Sequence, residues 1–249
     1  MGKVIGVILT YNSAKTLEDV YQRIPKSFLD EIIVSDDGST DKTVEIAKQL
    51  GVSVFSHEHR GYGGNIRYGL ERALGMGGKY MIEIHGDGQY DPGGIPSALE
   101  KMDKGCQLLL GSRFIDKKQT LQDGMPLVRY LANRGLSFFD RLFLGLNISE
   151  FHTGFRVYSR DLFKKINLKT GSDDYLFSFE IIVQSRYFGF KICEIPIRCD
   201  YKKVHTSENL WKASIYSFQT FYILFLYFLA RFGFKTKLFR SNKSSFIYS

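Results

Sequence analysis

The chain has little cysteine, and Cys106, Cys193 and Cys199 neither fall at Cys-x-x-Cys spacing nor stand beside a histidine cluster. So sparse and odd a set argues against a disulfide framework or zinc ribbon and for reduced, mostly buried thiols of a cytosolic protein. The opening MGKVIGVILTYN has one lysine, a short apolar run and no small-residue cleavage site, so it is expected to be a first strand and not a signal peptide. Acidic residues almost vanish near the end. From Tyr201 onward eight Lys or Arg face Glu208 alone, which is +7 of a total formal charge of +8. The body is therefore nearly neutral and the tail basic, as a partner with an anionic surface would require. No aromatic residues interleave with base-reading arginines, so a nucleic acid is not the expected partner.

What the sequence does have is the balance of a packed globular protein, with 44% hydrophobic and 24% charged residues among 249. Two units are expected, a body over residues 1–200 and a basic loop, helix and tail over 201–249. Between Lys212 and Arg231 stand the uncharged residues ASIYSFQTFYILFLYFLA. As a helix they would reach about 27 Å, near the minimum for a bilayer span, and Ser214, Ser217, Gln219 and Thr220 weaken the first half. A span would also separate the basic tail from the body, against the positive-inside tendency. The better expectation is a helix in the membrane interface with cationic flanks on lipid phosphates. Packing on the protein's own core, or in a homodimer interface, is the alternative.

In the first half, VIGVIL and EIIVS read as short strands, each followed by a polar turn and a helical pattern, Ala14 to Ile24 and Asp41 to Leu50. Val52 to Phe55, Tyr80 to Ile84 and Gln107 to Leu110 add strands, with helices near Asn65 to Leu74 and Gly94 to Lys104. That alternation predicts an α/β fold, a mostly parallel sheet covered by helices, with a C-terminal amphipathic helix. Ligands in such sheets bind at the carboxyl ends of the strands, where TYN, DDGSTD and HGDGQ fall. In DDGSTDKT, Ser39 or Thr40 is expected to cap the next helix and Asp41 to suit its positive end. Capping leaves the adjacent carboxylates Asp36 and Asp37 unexplained.

TYN, DDGSTD, the glycine-rich GYGGNIRYG and an acidic loop after a later strand occur in that order. GSR, GMPLVRYLANR, HTGFRVYSR and FGFKICEIPI follow. Together they resemble glycosyltransferase family 2 with the GT-A (Rossmann-like) fold, in the branch that contains dolichol-phosphate mannose synthases, over nearly the whole chain to about Lys212. The resemblance implies an inverting transfer of a sugar from a nucleotide donor, commonly to a polyprenyl phosphate. It also implies that Thr10, Tyr11 and Asn12 line the nucleotide pocket, with Asp37 reading the base and Asp36 beside it. Gly61 and Gly63 would let the backbone approach the donor, with Asn65 and Arg67 opening the next helix.

Relatives usually carry Asp-x-Asp in the acidic loop; here the matching positions are His85, Asp87 and Gln89. Mn²⁺ accepts an imidazole more readily than Mg²⁺, so a Mg²⁺ or Mn²⁺ site held by Asp87, Gln89 and His85 is expected, weaker or Mn²⁺-biased. Arg113, Arg129 and Arg156 are the arginines expected to meet the charge of the departing nucleoside diphosphate or of a lipid phosphate. Asp123, His152, Asp173 and Asp174 are polar residues without a spacing that singles out a general base. A phosphate monoester acceptor is already largely ionised at neutral pH and needs none. Lys202, Lys203 and His205 are further phosphate-binding candidates in a closing loop. The expectation is a glycosyltransferase at the cytoplasmic face of the membrane, taking a hexose from a GDP- or UDP-sugar to a polyprenyl phosphate. A transferase acting on a saccharide or glycolipid hydroxyl, or a non-catalytic nucleotide-sugar-binding protein, are the alternatives.

Overall fold

The computed structural model describes residues 2–201 and 210–241. Seven strands form one sheet: β1 (Lys3–Thr10), β2 (Glu31–Asp36), β3 (Ser53–Ser56), β4 (Gly78–His85), β5 (Leu108–Ser112), β6 (Arg156–Ser159) and β7 (Ile192–Pro196), in spatial order β3-β2-β1-β4-β6-β5-β7. All neighbours pair in parallel except β6, which runs antiparallel between β4 and β5. The expected fold class is therefore observed, with one reversed strand that the motifs alone do not reveal.

Alternation along the strands divides the core into two layers, because successive side chains point to opposite faces. Ile5, Val7 and Leu9 face one layer with α3 (Tyr62–Gly75), α7 (Leu176–Tyr187) and α8 (Leu210–Arg231). Ile8, Val34 and Ile82 face the other with α1 (Leu17–Arg23), α2 (Thr43–Gln49) and α4 (Ile95–Asp103). A short α5 (Lys117–Gln122) and the long α6 (Leu127–Leu144) lie between β5 and β6 in the chain. Helix α7 is buried along every residue from Leu176 to Ser185. It packs against α8, and only its last residues, Arg186 and Tyr187, are half-buried.

Helix α8 has two faces. Ile223, Leu224, Tyr227 and Ala230 join the same core as β1, whereas Phe218, Tyr222, Phe225 and Phe228 are each more than half exposed. Among the described residues no helix is long and apolar enough to cross a membrane. Helix α6 is bare in the same way at Leu127, Val128, Leu131, Phe138, Leu142 and Phe143, and its Phe139 meets Phe221 of α8 edge to face. The cysteines need a correction. Cys106, two residues before β5, forms a disulfide with Cys193 of the neighbouring strand β7, with Cα atoms 6.1 Å apart, and Cys199 is a buried free thiol. A separation of 87 residues hid a contact that only the β5–β7 pairing creates.

Candidate active site

The carboxyl ends of β1, β2, β3, β4 and β5, with the start of β6, meet at one edge of the sheet. There the turn after β2 is built from its own carboxylates. Asp36 accepts from Thr10 Oγ1 at 3.0 Å, from Ser39 N at 3.1 Å and from Ser56 Oγ at 3.3 Å. Asn12, at φ 50°, places its Oδ1 2.8 Å from the amide of Thr40 and 3.3 Å from that of Asp41. Asp41 in turn accepts from Thr43 N at 2.9 Å. Ser39 and Thr40 thus do not cap α2 as expected; Ser39 Oγ donates to Asp36 and Asn12 and Asp41 hold the entry.

Asp37 is as closely held. Its Oδ1 accepts from Arg60 N at 2.7 Å and its Oδ2 from Gly61 N at 3.0 Å, and Oδ2 lies 2.8 Å from His59 Nδ1. It is 2% exposed, so the carboxylate expected to read the base is turned into the protein. Tyr11, by contrast, is half exposed and stacks on His59 with ring centroids 4.5 Å apart.

The glycine-rich segment opens α3, and its small residues face protein. A Cβ on Gly63 would stand 2.5 Å from Asp174 O and 2.6 Å from Ser172 O, and Gly61 adopts φ 91°. The amides of Gly63 and Gly64 donate to Asp173 O at 2.9 and 3.2 Å. Arg67 donates to Ser172 O at 3.0 Å and pairs with Asp173. Asn65 is buried between Ser35, whose Oγ donates to Oδ1 at 2.7 Å, and Thr10 O, to which it donates at 3.2 Å. The start of this helix is therefore closed by the 172–174 segment, which the motif alone assigned to a donor.

At the end of β4, His85 faces inward. Its Nε2 lies 3.1 Å from Glu83 Oε1 and 3.1 Å from Tyr62 Oη, while Tyr62 Oη donates to the same Glu83 oxygen at 2.7 Å. Nε2 therefore carries a proton toward Glu83 and offers no lone pair to a cation. The ring is wedged between Tyr90 and Gly154, where a Cβ would stand 2.5 Å from it. Asp87 and Gln89 are half-buried on the loop, and one Asp87 oxygen accepts from Gln89 N at 2.9 Å. Among the described residues no three His, Cys, Asp or Glu side chains gather as a cation cage. One carboxylate with an oxygen to spare fits a hard cation completed by water and substrate phosphates, and does not fit an all-protein site.

Glu83, missed in the sequence, is the centre of a buried cluster. Tyr158 Oη donates to its Oε2 at 2.6 Å, and Arg156 Nη1 lies 3.5 Å from its Oε1. Burial pushes its carboxyl up, but Arg156 and His85 overcome that and hold it below the ordinary glutamate range. Burial works against the charge of Arg156 too, and Glu83 more than offsets it, so the guanidinium stays protonated. Its Nε and Nη1 make no hydrogen bond. The signal was a lone acid inside the apolar strand YMIEI, which must be paired when buried.

Glu150 was missed in the same way. It receives Arg113 Nε at 2.7 Å and the Arg113 amide at 2.7 Å, and Arg113 Nη2 also donates to His152 O at 3.1 Å. Burial opposes the charge of Arg113, and Glu150 overrides it and raises the pKa well above the usual arginine range. Arg113 Nη1 donates to Tyr201 Oη, and exposed Arg129 of α6 lies over the same ring at 5.5 Å. Tyr90 of the acidic loop faces Arg113, and burial pushes its hydroxyl up to about 12.

The base candidates each have partners, Asp173 through Arg67. His152 lies 2.7 Å from Asp140 Oδ2 and 2.9 Å from Tyr216 Oη, and Asp123 is 2.6 Å from Arg198 Nη2 and 2.8 Å from Gln119 Nε2. Asp174 accepts from Leu176 N at 2.9 Å. Lys202, Lys203 and His205 lie outside the described residues.

A mixed sheet with this strand order, with its acidic loop and arginines at the carboxyl edge, is the GT-A fold. The chain belongs to glycosyl transferase family 2, whose family model matches residues 7–167. It is 33% identical to an uncharacterized protein of Methanocaldococcus jannaschii over 83% of this chain and 85% of that one. It is 26% identical to the polyprenol monophosphomannose synthase of Mycolicibacterium smegmatis over 83% of this chain and 80% of the relative, which lies in the branch expected from the motifs. The fold is shared with glucosyl-3-phosphoglycerate synthase of Mycobacterium tuberculosis in complex with Mn²⁺, UDP-glucose and phosphoglyceric acid. There the TM-score is 0.66 at 21% identity, over 95% of this chain and 81% of that one.

Proposed function

We propose that this glycosyltransferase moves a hexose from a GDP- or UDP-sugar to a polyprenyl phosphate, bound peripherally to an anionic membrane surface at its cytoplasmic face. One observation carries the reading. Arg129 rises among bare apolar residues of α6, Leu127, Val128 and Leu131, and leans on Tyr201, which leads through Arg113 to Tyr90 of the acidic loop. A cation at the rim of an apolar face suits an amphiphile with a phosphate head and a hydrocarbon tail.

In the reaction an oxygen of the acceptor phosphate bonds to the anomeric carbon as the bond to the donor diphosphate breaks, and the nucleoside diphosphate leaves with that electron pair. Arg156, desolvated and with N–H groups unspent, and Arg113, locked in position by Glu150, supply positive charge where the negative charge develops. Asp87, with Gln89 beside it, would hold Mg²⁺ or Mn²⁺ against the donor diphosphate, and the ion would offset the charge on the leaving group. His85 serves this loop through Glu83, by fixing its packing. An acceptor phosphate is already an anion and needs no general base.

The test is release of nucleoside diphosphate from a panel of GDP- and UDP-sugars, with polyprenyl phosphate in detergent and either cation. Turnover is expected to need lipid and cation, to yield a mild-acid-labile, phosphate-linked lipid, and to fall at least about a hundredfold in Asp87→Ala. Transfer to saccharide hydroxyls with none to polyprenyl phosphate would overturn the reading.

A further inference from the structure

We propose that His152 is a positioning residue for the acceptor: its ring sets the angle at which helix α6 carries Arg129 over the site. The inference rests on the reading of Arg129 as the cation that meets the acceptor phosphate, and adds the residue that places it. His152 lies in the segment before β6, with 5% of its side chain exposed.

Helix α6 has little else to fix it. Of its 18 residues only Ser137, Asp140 and Leu144 are buried, all in the second half. Arg129 stands in the first half, three turns from Asp140, which is about 16 Å along the axis at 1.5 Å per residue. That half meets the body at Phe114, against which Tyr130 packs edge to face and over which Arg134 lies. A change of about 10° in the axis at Asp140 therefore moves Arg129 by about 3 Å, the length of a hydrogen bond.

His152 holds the helix at that point. Its Nε2 lies 2.7 Å from Asp140 Oδ2, and Asp140 Oδ1 makes no hydrogen bond, so His152 is the one hydrogen-bond partner of this buried carboxylate among the described residues. Nδ1 lies 2.9 Å from Tyr216 Oη of α8, and the ring stacks on Phe179 of α7 with centroids 5.4 Å apart. Each ring nitrogen has its own partner, so both contacts stand whichever atom donates. The His152 carbonyl accepts from Arg113 Nη2 at 3.1 Å, and Glu150 grips the same guanidinium. One residue thus joins α6, α7 and α8 to Arg113, the other arginine beside Tyr201. A hydrogen-bonded joint fixes a direction, whereas apolar packing of the same volume keeps stability and loses definition first.

The test is a double-mutant cycle on the full chain in steady-state transfer to polyprenyl phosphate, with His152→Phe/Asp140→Leu as one arm and Arg129→Ala as the other. The paired replacement keeps a ring on Phe179 and strands no charge, so urea unfolding is expected to show a folded protein. KM for polyprenyl phosphate is expected to rise about fivefold or more, with kcat and the donor KM within about twofold of wild type. In the Arg129→Ala background the same replacement is expected to add less than about twofold, because the group it positions is gone. His152→Gln, whose amide still reaches Asp140, should recover most of the wild-type KM. Tyr216→Phe deletes one hydroxyl from a half-buried ring and reads the joint without risk to the fold; it should raise KM about threefold. An unchanged KM in the paired and Tyr216→Phe variants, or an equal rise with and without Arg129, would overturn the assignment and leave the acceptor reading standing. A wild type with no turnover on polyprenyl phosphate would overturn both.

Discussion

Replacing Glu83 by glutamine keeps its shape and removes one charge. In the wild type Glu83 and Arg156 are an ion pair with 2% and 3% of their side chains exposed, 3.5 Å apart, and Tyr158 and Tyr62 donate to the two carboxylate oxygens. Glutamine leaves the Arg156 charge buried without a counter-ion, at a cost of about 3–5 kcal/mol, which is a large part of the roughly 5–15 kcal/mol that a folded domain has. It also turns an amide N–H₂ toward hydroxyls and an imidazole that were arranged around acceptors. Urea unfolding followed by circular dichroism at neutral pH should show that loss as a lower midpoint with an unchanged slope. Arg156→Met in the same chain removes the stranded charge, so the double variant should recover much of the stability. The pH dependence follows from the direction of the Glu83 shift. Because burial is outweighed by Arg156 and the carboxyl is held below its ordinary range, its contribution is full above the unfolded-state value of about 4.3 and is lost as pH falls through the folded one. The gap between wild type and Glu83→Gln should therefore close in acid. A Glu83→Gln protein within 1 kcal/mol of wild type at neutral pH would refute the account of this cluster as a charge-balanced core.

Two predictions concern the acceptor side. Arg129→Ala should raise KM for polyprenyl phosphate about tenfold or more, the scale of one charge-assisted hydrogen bond, and Arg129→Lys should recover part of it; equal KM values in steady-state assays would remove Arg129 from the acceptor site. Phe218→Asp with Phe225→Asp should leave thermal stability unchanged, since both rings are more than half exposed, and should reduce co-sedimentation with anionic vesicles by roughly tenfold or more. Unchanged vesicle binding, with a dimer in sedimentation velocity that these substitutions dissociate, would assign the face to a second copy of the chain.

Much of the architecture was legible because it rests on local regularities. The runs VIGVIL, EIIVS and YMIEI have the period and length of strands, and each is one in the structure, within two residues at either end. TYN, DDGSTD and HGDGQ pointed to the carboxyl edge for the same reason, since each lies where a strand ends. Individual residue roles were less legible. DDGST and GYGG have the composition of a ligand loop, yet Asp36 closes on Thr10 and Ser39, and Gly63 accommodates a carbonyl from 111 residues further along the chain, Asp174. The partners of a carboxylate or a small residue are set by which segments the fold brings near, and nothing local encodes them.

The sequence by itself determined the alternation of strand and helix, the family, the aromatic C-terminal helix and the place of the candidate site along the chain. These follow from periodicity, composition and motif order, which are properties of neighbouring residues. Only the tertiary structure decided that β6 runs against its neighbours, that Cys106 meets Cys193, that Glu83 and Glu150 balance Arg156 and Arg113, and that His85 Nε2 meets Glu83. It also turned Asp37 inward and left His59 at the surface. A buried charge must find its counter-charge wherever the chain supplies one, and that pairing is resolved by long-range packing and desolvation, which no stretch of sequence contains.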